Sequence, residues 1–370
     1  MSNRRSFLKN TLLAGTSLAL FPHCSSSTSP TQKIIATGNK KDKLGVALVG
    51  LGGYSRGQLA PALQLTEHCY LAGIVTGSPD KIPRWQAQYG IKDANVYSYD
   101  NIEQIANNDE IDIIYIVLPT ALHAQYAIKA ANTGKHVWLE KPMAMNVAEC
   151  QAVIDACNKN KVKLSIGYRM QHEPNTKTLI GYADSQPYGN MQSVKALAGY
   201  RGNGGGGWRA KKAMGGGALY DMGVYTINGI RYATQMEPIR VNYGKVIINR
   251  PDLFPEVDET TEYELEFANG LTAYGRTSVG ESINQLRVDC ERGWYELAPM
   301  QSYNGVEGKT SDGKALNIFI ENQQARQMDD DALAIKNNTS VMVPGIEGLN
   351  DIRIVNAIQR AAHLGKSVAL

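Results

Sequence analysis

Residues 44–76, LGVALVGLGGYSRGQLAPALQLTEHCYLAGIVT, constrain the fold more than any other part of the chain. Leu44, Val46, Ala47, Leu48 and Val49 are apolar without alternation, the pattern of a parallel strand covered on both faces. Gly50-Leu51-Gly52-Gly53-Tyr54-Ser55 follows. Gly50 permits a tight turn, Gly52 lets the backbone approach a pyrophosphate, and the amides opening the next helix, from Gly53 and Tyr54 on, supply donors and partial positive charge. Ser55 holds the third place of the G-x-G-x-x-G fingerprint with a small residue. A second apolar strand over 70–76 closes a βαβ unit, so the stretch predicts a dinucleotide-binding Rossmann domain.

The end of that second strand bears on the nucleotide. An NAD enzyme usually places Asp or Glu there to hold the ribose 2′-hydroxyl, and a carboxylate repels a 2′-phosphate. Here the strand ends in Thr76-Gly77-Ser78, with Lys81 and Arg84 close behind. Hydroxyls and two cations suit a phosphate, so NADP is expected in preference to NAD. Asp80 is read as a cap for a helix starting near Pro79.

At 370 residues the chain exceeds one ordinary core, and two domains are expected. A net charge of +3 is too small to argue for nucleic acid or a membrane surface as partner. No Cys/His spacing of a metal site occurs, so no metal is expected. Cys150 and Cys157 lie on one predicted helix about 10 Å apart, too far for a disulfide, and read as buried thiols.

Residues 1–30 read as an address. Asn3-Arg4-Arg5-Ser6-Phe7-Leu8-Lys9, a short apolar run over 11–21 and a Ser/Thr-rich stretch resemble a twin-arginine export signal, which implies the export machinery as a partner and a periplasmic location. The apolar run is too short to span a bilayer. Cys24 suggests a lipoprotein anchor, but Phe21-Pro22-His23 lacks the small residues such processing wants. The twin-arginine route carries folded proteins, so a nucleotide enzyme can leave the cytoplasm already loaded. Free NADP is scarce outside, so the cofactor is expected to stay bound and to be reduced and reoxidised in place.

Residues 31–42 read as an extended arm, and strands alternate with helices over 43–168. The apolar strand 111–118 ends at Leu118-Pro119 and leads to a helix bearing His123; the strand 137–139 delivers Glu140-Lys141-Pro142 to the sheet's carboxyl edge, where such folds build their sites. Pro142 biases Lys141 to an extended conformation aimed into the cleft. From Arg169 the pattern changes to clustered strands, including 261–267 and 271–277 joined by Asn269-Gly270. Residues 169–370 therefore predict an α+β domain with an open, predominantly antiparallel sheet, whose last helix, 349–363, folds back across the first domain. An exposed sheet face favours a homodimer or homotetramer.

Asp221 and Tyr225 are spaced i, i+4 on the predicted helix after Gly215-Gly216-Gly217 and share one face. A tyrosine serving as proton shuttle needs a nearby ammonium such as Lys141 to favour the phenolate, while Asp221 can hold a substrate hydroxyl or the lysine. On spacing alone a packed aromatic is the commoner meaning of Tyr225.

Gly50-Leu51-Gly52, 119–123, Glu140-Lys141-Pro142, Gly167-Tyr168-Arg169 and GGGALYDMGVY, in this order, resemble the Gfo/Idh/MocA oxidoreductases, and most of all the periplasmic glucose–fructose oxidoreductase branch. That resemblance implies Lys141 as the residue that binds and polarises a sugar, Tyr225 as acid/base and Asp221 as its orienting partner. It also places His123 and Glu140 beside the nicotinamide, and Arg169, His172, Trp208 and Arg209 near the sugar. Asn228 stands where many members carry an acid or His. The implied activity is oxidation of an aldose at C1 to a lactone by retained NADP, with the hydride passed to a second sugar carbonyl. Alternatives are a glycosidase that works by transient oxidation, a sugar C3 dehydrogenase, and a sugar-binding sensor without turnover. Release of sugar from a nitrophenyl glycoside without net redox change distinguishes the glycosidase.

Overall fold

The unalternating run after Lys43 forms β1 (Leu44–Val49), buried at every position. In the computed structural model, which describes residues 41–203, 207–303 and 305–370, β1 joins five further strands. The export signal, Cys24, residues 31–40 of the arm and Gly204 to Gly206 lie outside the described residues. The sheet contains β2 (Cys69–Val75), β3 (Val96–Tyr97), β4 (Ile113–Ile116), β5 (His136–Leu139) and β6 (Leu164–Ile166), in the order β3-β2-β1-β4-β5-β6. Every neighbouring pair is parallel. The order reverses between β1 and β4, and that reversal opens a crevice beyond the strand carboxyl ends.

Both faces of this sheet are covered, which is why its strands do not alternate. Val49, Ile114 and Ile116 pack in one core with Ala127 of α3 (Thr120–Asn132) and Val153 of α4 (Val147–Lys159). Val46, Leu48 and Tyr115 pack in another with Leu59, Met328 and Ala332. Each buried Val, Leu or Ile contributes roughly 1.5–3 kcal/mol relative to exposure. The first crossover begins as a π-helix, Ser55–Leu59, and continues as α1 (Ala60–Ala62), and α2 (Ile82–Tyr89) follows β2. Asp80 lies inside the turn before α2 and makes no side-chain cap, contrary to the sequence reading. Asn146 caps α4 by accepting from the Glu149 amide at 2.9 Å, and Glu149 accepts from the Met145 amide at 3.0 Å. This box fixes the end of the loop that starts at Lys141.

The second sheet has nine strands: β7 (Met191–Arg201), β8 (Pro238–Ile247), β9 (Thr260–Phe267), β10 (Thr272–Ser278), β11 (Gly280–Cys290), β12 (Gly293–Leu297), β13 (Gly308–Thr310), β14 (Ala315–Leu316) and β15 (Val368–Ala369). Their order is β14-β13-β12-β11-β7-β10-β9-β8-β15. Only β7 and β10 pair in parallel; all other neighbours are antiparallel. In β9, Tyr263, Leu265 and Phe267 are buried while Glu262, Glu264 and Glu266 are half-exposed, so one face is core and the other polar. The helices of this half are α5 (Pro174–Ser185), α6 (Val224–Thr234), α7 (Gln323–Lys336) and α8 (Gly345–Leu364). α7 supplies Met328 and Ala332 to the Rossmann core, and α8 begins with Gly345 and Gly348 so close to Leu164 and Met143 that a Cβ would stand 2.6 and 2.8 Å from their side-chain atoms. The two helices thus hold the domains together.

Among the described residues the cysteines are free, and burial pushes the Cys150 and Cys157 thiols up to about 12. They are inert packing groups.

Candidate active site

Lys141 leaves β5 at the carboxyl edge of the parallel sheet, while Asp221 and Tyr225 come from the second domain's helix. The Lys141 Nζ donates to the Asp221 main-chain oxygen at 2.9 Å and lies 4.4 Å from the centroid of the Tyr225 ring. An ammonium over a ring face is attracted by the ring's quadrupole, so the contact fixes the lysine over the phenol. Asp221 does not lie in a plain α-helix: Leu219–Gly223 is a π-turn running into α6, an insertion found mostly at functional sites. Three glycines make the approach to this turn possible. A Cβ on Gly215 would stand 2.6 Å from Thr120, on Gly216 2.3 Å from the Arg209 carbonyl, and on Gly217 2.1 Å from Asp258. Asp258 in turn accepts the Leu219 amide at 2.8 Å and closes the helix start.

The Asp221 carboxylate has partners of its own. Its Oδ2 accepts from Tyr200 at 3.0 Å and from the Arg209 Nε at 3.0 Å. Arg209, expected near the sugar, is therefore an ion-pair partner of Asp221, and its guanidinium stacks 4.4 Å from the Trp208 ring. Burial is the largest single effect on Arg209 and would lower its pKa, but the Asp221 charge, Tyr200 and the hydrogen bond to Asp221 together hold the group above its ordinary value. Burial and the Asp221 charge push the Tyr200 phenol up. No motif marks Tyr200; only its place at the end of β7 brings it to Asp221.

Arg169, expected at the sugar, is buried. Its Nη1 donates to the Ser302 carbonyl at 3.1 Å and to the Gln323 side chain. The guanidinium lies 4.6 Å from the Tyr303 ring centroid and 5.9 Å from that of Tyr225. Glu140 is buried and accepts from Tyr115 at 2.7 Å, with Gly167 so close that a Cβ would meet its carboxylate at 2.7 Å. Burial pushes the Glu140 carboxyl up, against the Tyr115 hydrogen bond and the charges of Lys141 and Arg169. Tyr54 and Tyr303 are likewise pushed up, first by burial. Of the phenols around the cleft, Tyr225 is the one with an ammonium over its ring.

The two histidines of the sequence reading are both enclosed. His123 is 1% exposed, with Nδ1 2.7 Å from the Pro142 carbonyl and Nε2 2.8 Å from that of Leu118. Burial pulls its pKa down to about 4, and as a neutral imidazole the ring donates to one of these two carbonyls at a time. His172 is also enclosed and is held by Asp330 at 2.9 Å. Asn228 donates to Asp351 at 2.9 Å, bracing α6 on α8.

The glycine loop fits a dinucleotide. Gly50 has φ +94°, and a Cβ there would meet the Val117 carbonyl at 2.4 Å and Leu118 at 2.8 Å. At Gly52 and Gly53 an added Cβ meets nothing within 4 Å, so the open side of the loop can take a pyrophosphate against bare backbone. Ser55 donates to the Gly50 carbonyl at 2.5 Å and locks the turn. At the β2 end Thr76 accepts from the Ser78 amide at 3.1 Å, Gly77 lies under the Tyr99 ring, and Lys81 reaches back toward the Leu51 carbonyl at 3.4 Å. Pro119 precedes α3 at the same edge. A separate cavity of about 910 Å³ lies behind the helix start, between Tyr220, Val246 and Asn356. It holds none of Lys141, Asp221 and Tyr225.

Residues 44–168 match the model of the oxidoreductase family with an NAD-binding Rossmann fold (Gfo/Idh/MocA), and residues 178–296 match the Gfo/Idh/MocA C-terminal domain. The chain is 35% identical to aldose–aldose oxidoreductase from Caulobacter crescentus, whose structure was solved with glycerol; it covers 89% of this chain and 100% of that one, with a TM-score of 0.85. It is 26% identical to the D-xylose 1-dehydrogenase [NADP(+)] of Haloarcula marismortui, over 88% of this chain and 92% of that one. Scyllo-inositol dehydrogenase from Lactobacillus casei, with NAD(H) and scyllo-inositol bound, shares the fold at a TM-score of 0.74 and 18% identity, over 88% of this chain and 99% of that one. With both domain models matched in order around the cleft that joins Lys141 to Tyr225, the chain belongs to the Gfo/Idh/MocA family of NAD(P)-dependent oxidoreductases.

Proposed function

We propose that this enzyme oxidises an aldose at C1 to a lactone and reduces the carbonyl of a second sugar in the same site, with NADP retained throughout. The observation that carries the reading is the meeting of Lys141 with Tyr225, 4.4 Å from Nζ to ring centroid, at the edge where the glycine loop also opens. The aldose–aldose oxidoreductase and the NADP-dependent xylose dehydrogenase among the relatives support the substrate class and the cofactor. Thr76, Gly77, Ser78 and Lys81 would hold the 2′-phosphate end, and Gly50 to Tyr54 the pyrophosphate. Bound there, the nicotinamide supplies a hydride acceptor for the first sugar and a hydride donor for the second.

The residues of this chain manage the oxygen and its proton. Lys141 donates to the C1 oxygen and stabilises negative charge on it; Tyr225 takes the C1 hydroxyl proton in the oxidative half and returns a proton to the carbonyl oxygen in the reductive half. Across the pair of half-reactions one sugar loses two hydrogens and the other gains two, and no proton is released. Asp221, held by Arg209 and Tyr200, positions the sugar hydroxyl next to that oxygen. Trp208 flanks the same edge.

We also propose export by the twin-arginine route to the periplasm, the reading that makes retention necessary, and a homodimer or homotetramer assembled on the polar outer face of the nine-stranded sheet. The test is anaerobic addition of glucose to purified protein without added nucleotide. The reduced-nicotinamide absorbance band should rise to the level of one nucleotide per chain and collapse when a second sugar is added. No rise overturns the proposal.

A further inference from the structure

Tyr54 and Gln58 are spaced i, i+4 at the turn after the glycine loop, and the second half of the chain holds both. The Tyr54 ring lies 6.1 Å from that of Tyr303, tilted by 33°. Gln58 Oε1 accepts from the Gln324 side chain at 3.3 Å. Neither partner belongs to the Rossmann sheet: Tyr303 stands between β12 and β13, and Gln324 is in the first turn of α7.

One side chain sets both partners. Arg169, just beyond β6, donates to the carbonyl of Ser302 and to the side chain of Gln323, the residues immediately before Tyr303 and Gln324. Its guanidinium also lies 4.6 Å from the Tyr303 ring centroid. Arg169 is 2% exposed, whereas Tyr303 is 47% exposed. The arginine is thus a buried post and the tyrosine an outer arm that crosses to the glycine loop.

We propose that Tyr303 and Gln324, set by Arg169, form a clamp on the glycine loop that keeps the dinucleotide on the protein between turnovers. The inference rests on the retained-cofactor reading and names the residues responsible for retention. The clamp requires the two domains to part at this edge when a nucleotide leaves the loop, which separates Tyr54 from Tyr303 and Gln58 from Gln324. A family member that exchanges its cofactor each cycle has no use for such a tie. Tyr303 and Gln324 are positioning residues: they act on the loop, not on the reacting atoms.

The experiment compares wild type, Tyr303→Phe, Tyr303→Ala and Gln324→Ala, each purified and dialysed without added nucleotide. Nucleotide per chain is measured after denaturation, and release of reduced nucleotide is followed by its fluorescence on dilution into a scavenging dehydrogenase. The expected result is near-full occupancy for wild type and Tyr303→Phe, release about tenfold faster for Tyr303→Ala, and a smaller acceleration for Gln324→Ala. Tyr303 is 47% exposed and Gln324 only 2%, so if Gln324→Ala does not fold, Tyr303→Ala decides the matter. Wild-type release rates in both alanine variants overturn the clamp while leaving retention intact. Wild type that emerges without nucleotide overturns retention itself, and the clamp with it.

Discussion

The ammonium of Lys141 stands 4.4 Å from the ring centroid of Tyr225 and is tethered 2.9 Å from the main-chain oxygen of Asp221, so one lysine from the nucleotide domain touches both ends of the pair on the other domain's helix. The tether is to backbone, and it survives any change in the Asp221 side chain. Lysine placement and carboxylate function can therefore be separated by mutation.

Tyr225→Phe removes the proton carrier and keeps the ring on which the lysine rests. The half-reaction with glucose should slow by about 10²–10⁴, with nucleotide occupancy unchanged. Stopped-flow absorbance of the reduced nicotinamide measures the first quantity, and nucleotide release on denaturation the second.

Arg209→Lys keeps a positive charge but loses the planar Nε donor that meets Asp221 at 3.0 Å. Asp221 keeps Tyr200 as its second partner, so its carboxylate swings without being freed. The expected outcome is a fall in kcat/KM of about tenfold, carried mostly by KM for the sugar, with Tyr200→Phe giving a smaller effect of the same kind. Steady-state kinetics over a range of sugar concentrations checks both.

How much of this was legible beforehand depends on how far apart in the chain the interacting groups lie. Unalternating apolar runs, the glycine turn and the Lys141 motif are local signals, and each sits where the sequence places it. The i, i+4 spacing put Asp221 and Tyr225 together, but it says nothing of the π-turn between Leu219 and Gly223, because spacing does not distinguish hydrogen-bond patterns. α5 was missed although Glu173-Pro174 marks its start: Glu173 accepts the Thr176 amide at 2.6 Å, and a proline in the first turn is a known helix signal. The enclosure of His123 and His172 was not legible because the groups around them are remote: Pro142 is 19 residues from His123, and Asp330 is 158 from His172. Tyr200 and Tyr303 belong to no motif, and only tertiary contact with Asp221 and Arg169 reveals them.

Gly217→Ala should be costly. A Cβ would fall 2.1 Å from the Asp258 carboxylate in a backbone conformation, φ +100°, that side chains disfavour. Relief requires Asp258 to move, which releases the Leu219 amide it caps. A loss of about 2 kcal/mol or more in urea denaturation is expected, together with weakened sugar binding, because Asp221 lies two residues beyond that amide.

A pH-dependent prediction comes from two buried groups with opposite slopes. Burial raises Asp331 from 3.8 to about 6, with His172 and the Ser165 hydroxyl opposing and Asp330 adding to the rise. The folded state binds more protons than the unfolded one between those values, so this contribution is fully present below pH 3.8 and is lost as pH rises through about 6, to the extent of about 3 kcal/mol. His123 is displaced the other way, from 6.5 to about 4, so its contribution is present above 6.5 and is lost as pH falls through about 4. The two nearly cancel in the wild type over pH 4–6. Asp331→Asn removes one slope, and its melting temperature should match wild type near pH 4 and exceed it at pH 7.

Cofactor choice is the last test, and its readout does not depend on turnover. The β2 end offers Thr76, Ser78 and Lys81 and no carboxylate on the strand, while Asp80 lies exposed in the next turn without a capping bond. Lys81 is part-buried and reaches toward the Leu51 carbonyl at 3.4 Å, so its ammonium stays beside the glycine loop instead of ranging through solvent. A charge held there favours a 2′-phosphate by about 1.5–3 kcal/mol, as charge-assisted hydrogen bonds do, which corresponds to a preference of one to two orders of magnitude. Lys81→Ala combined with Ser78→Asp removes that attraction and adds repulsion. Mass spectrometry of nucleotide released from the purified proteins should then find NADP in the wild type and NAD in the variant. NADP at wild-type occupancy in the double variant would show that selection lies elsewhere in the cleft.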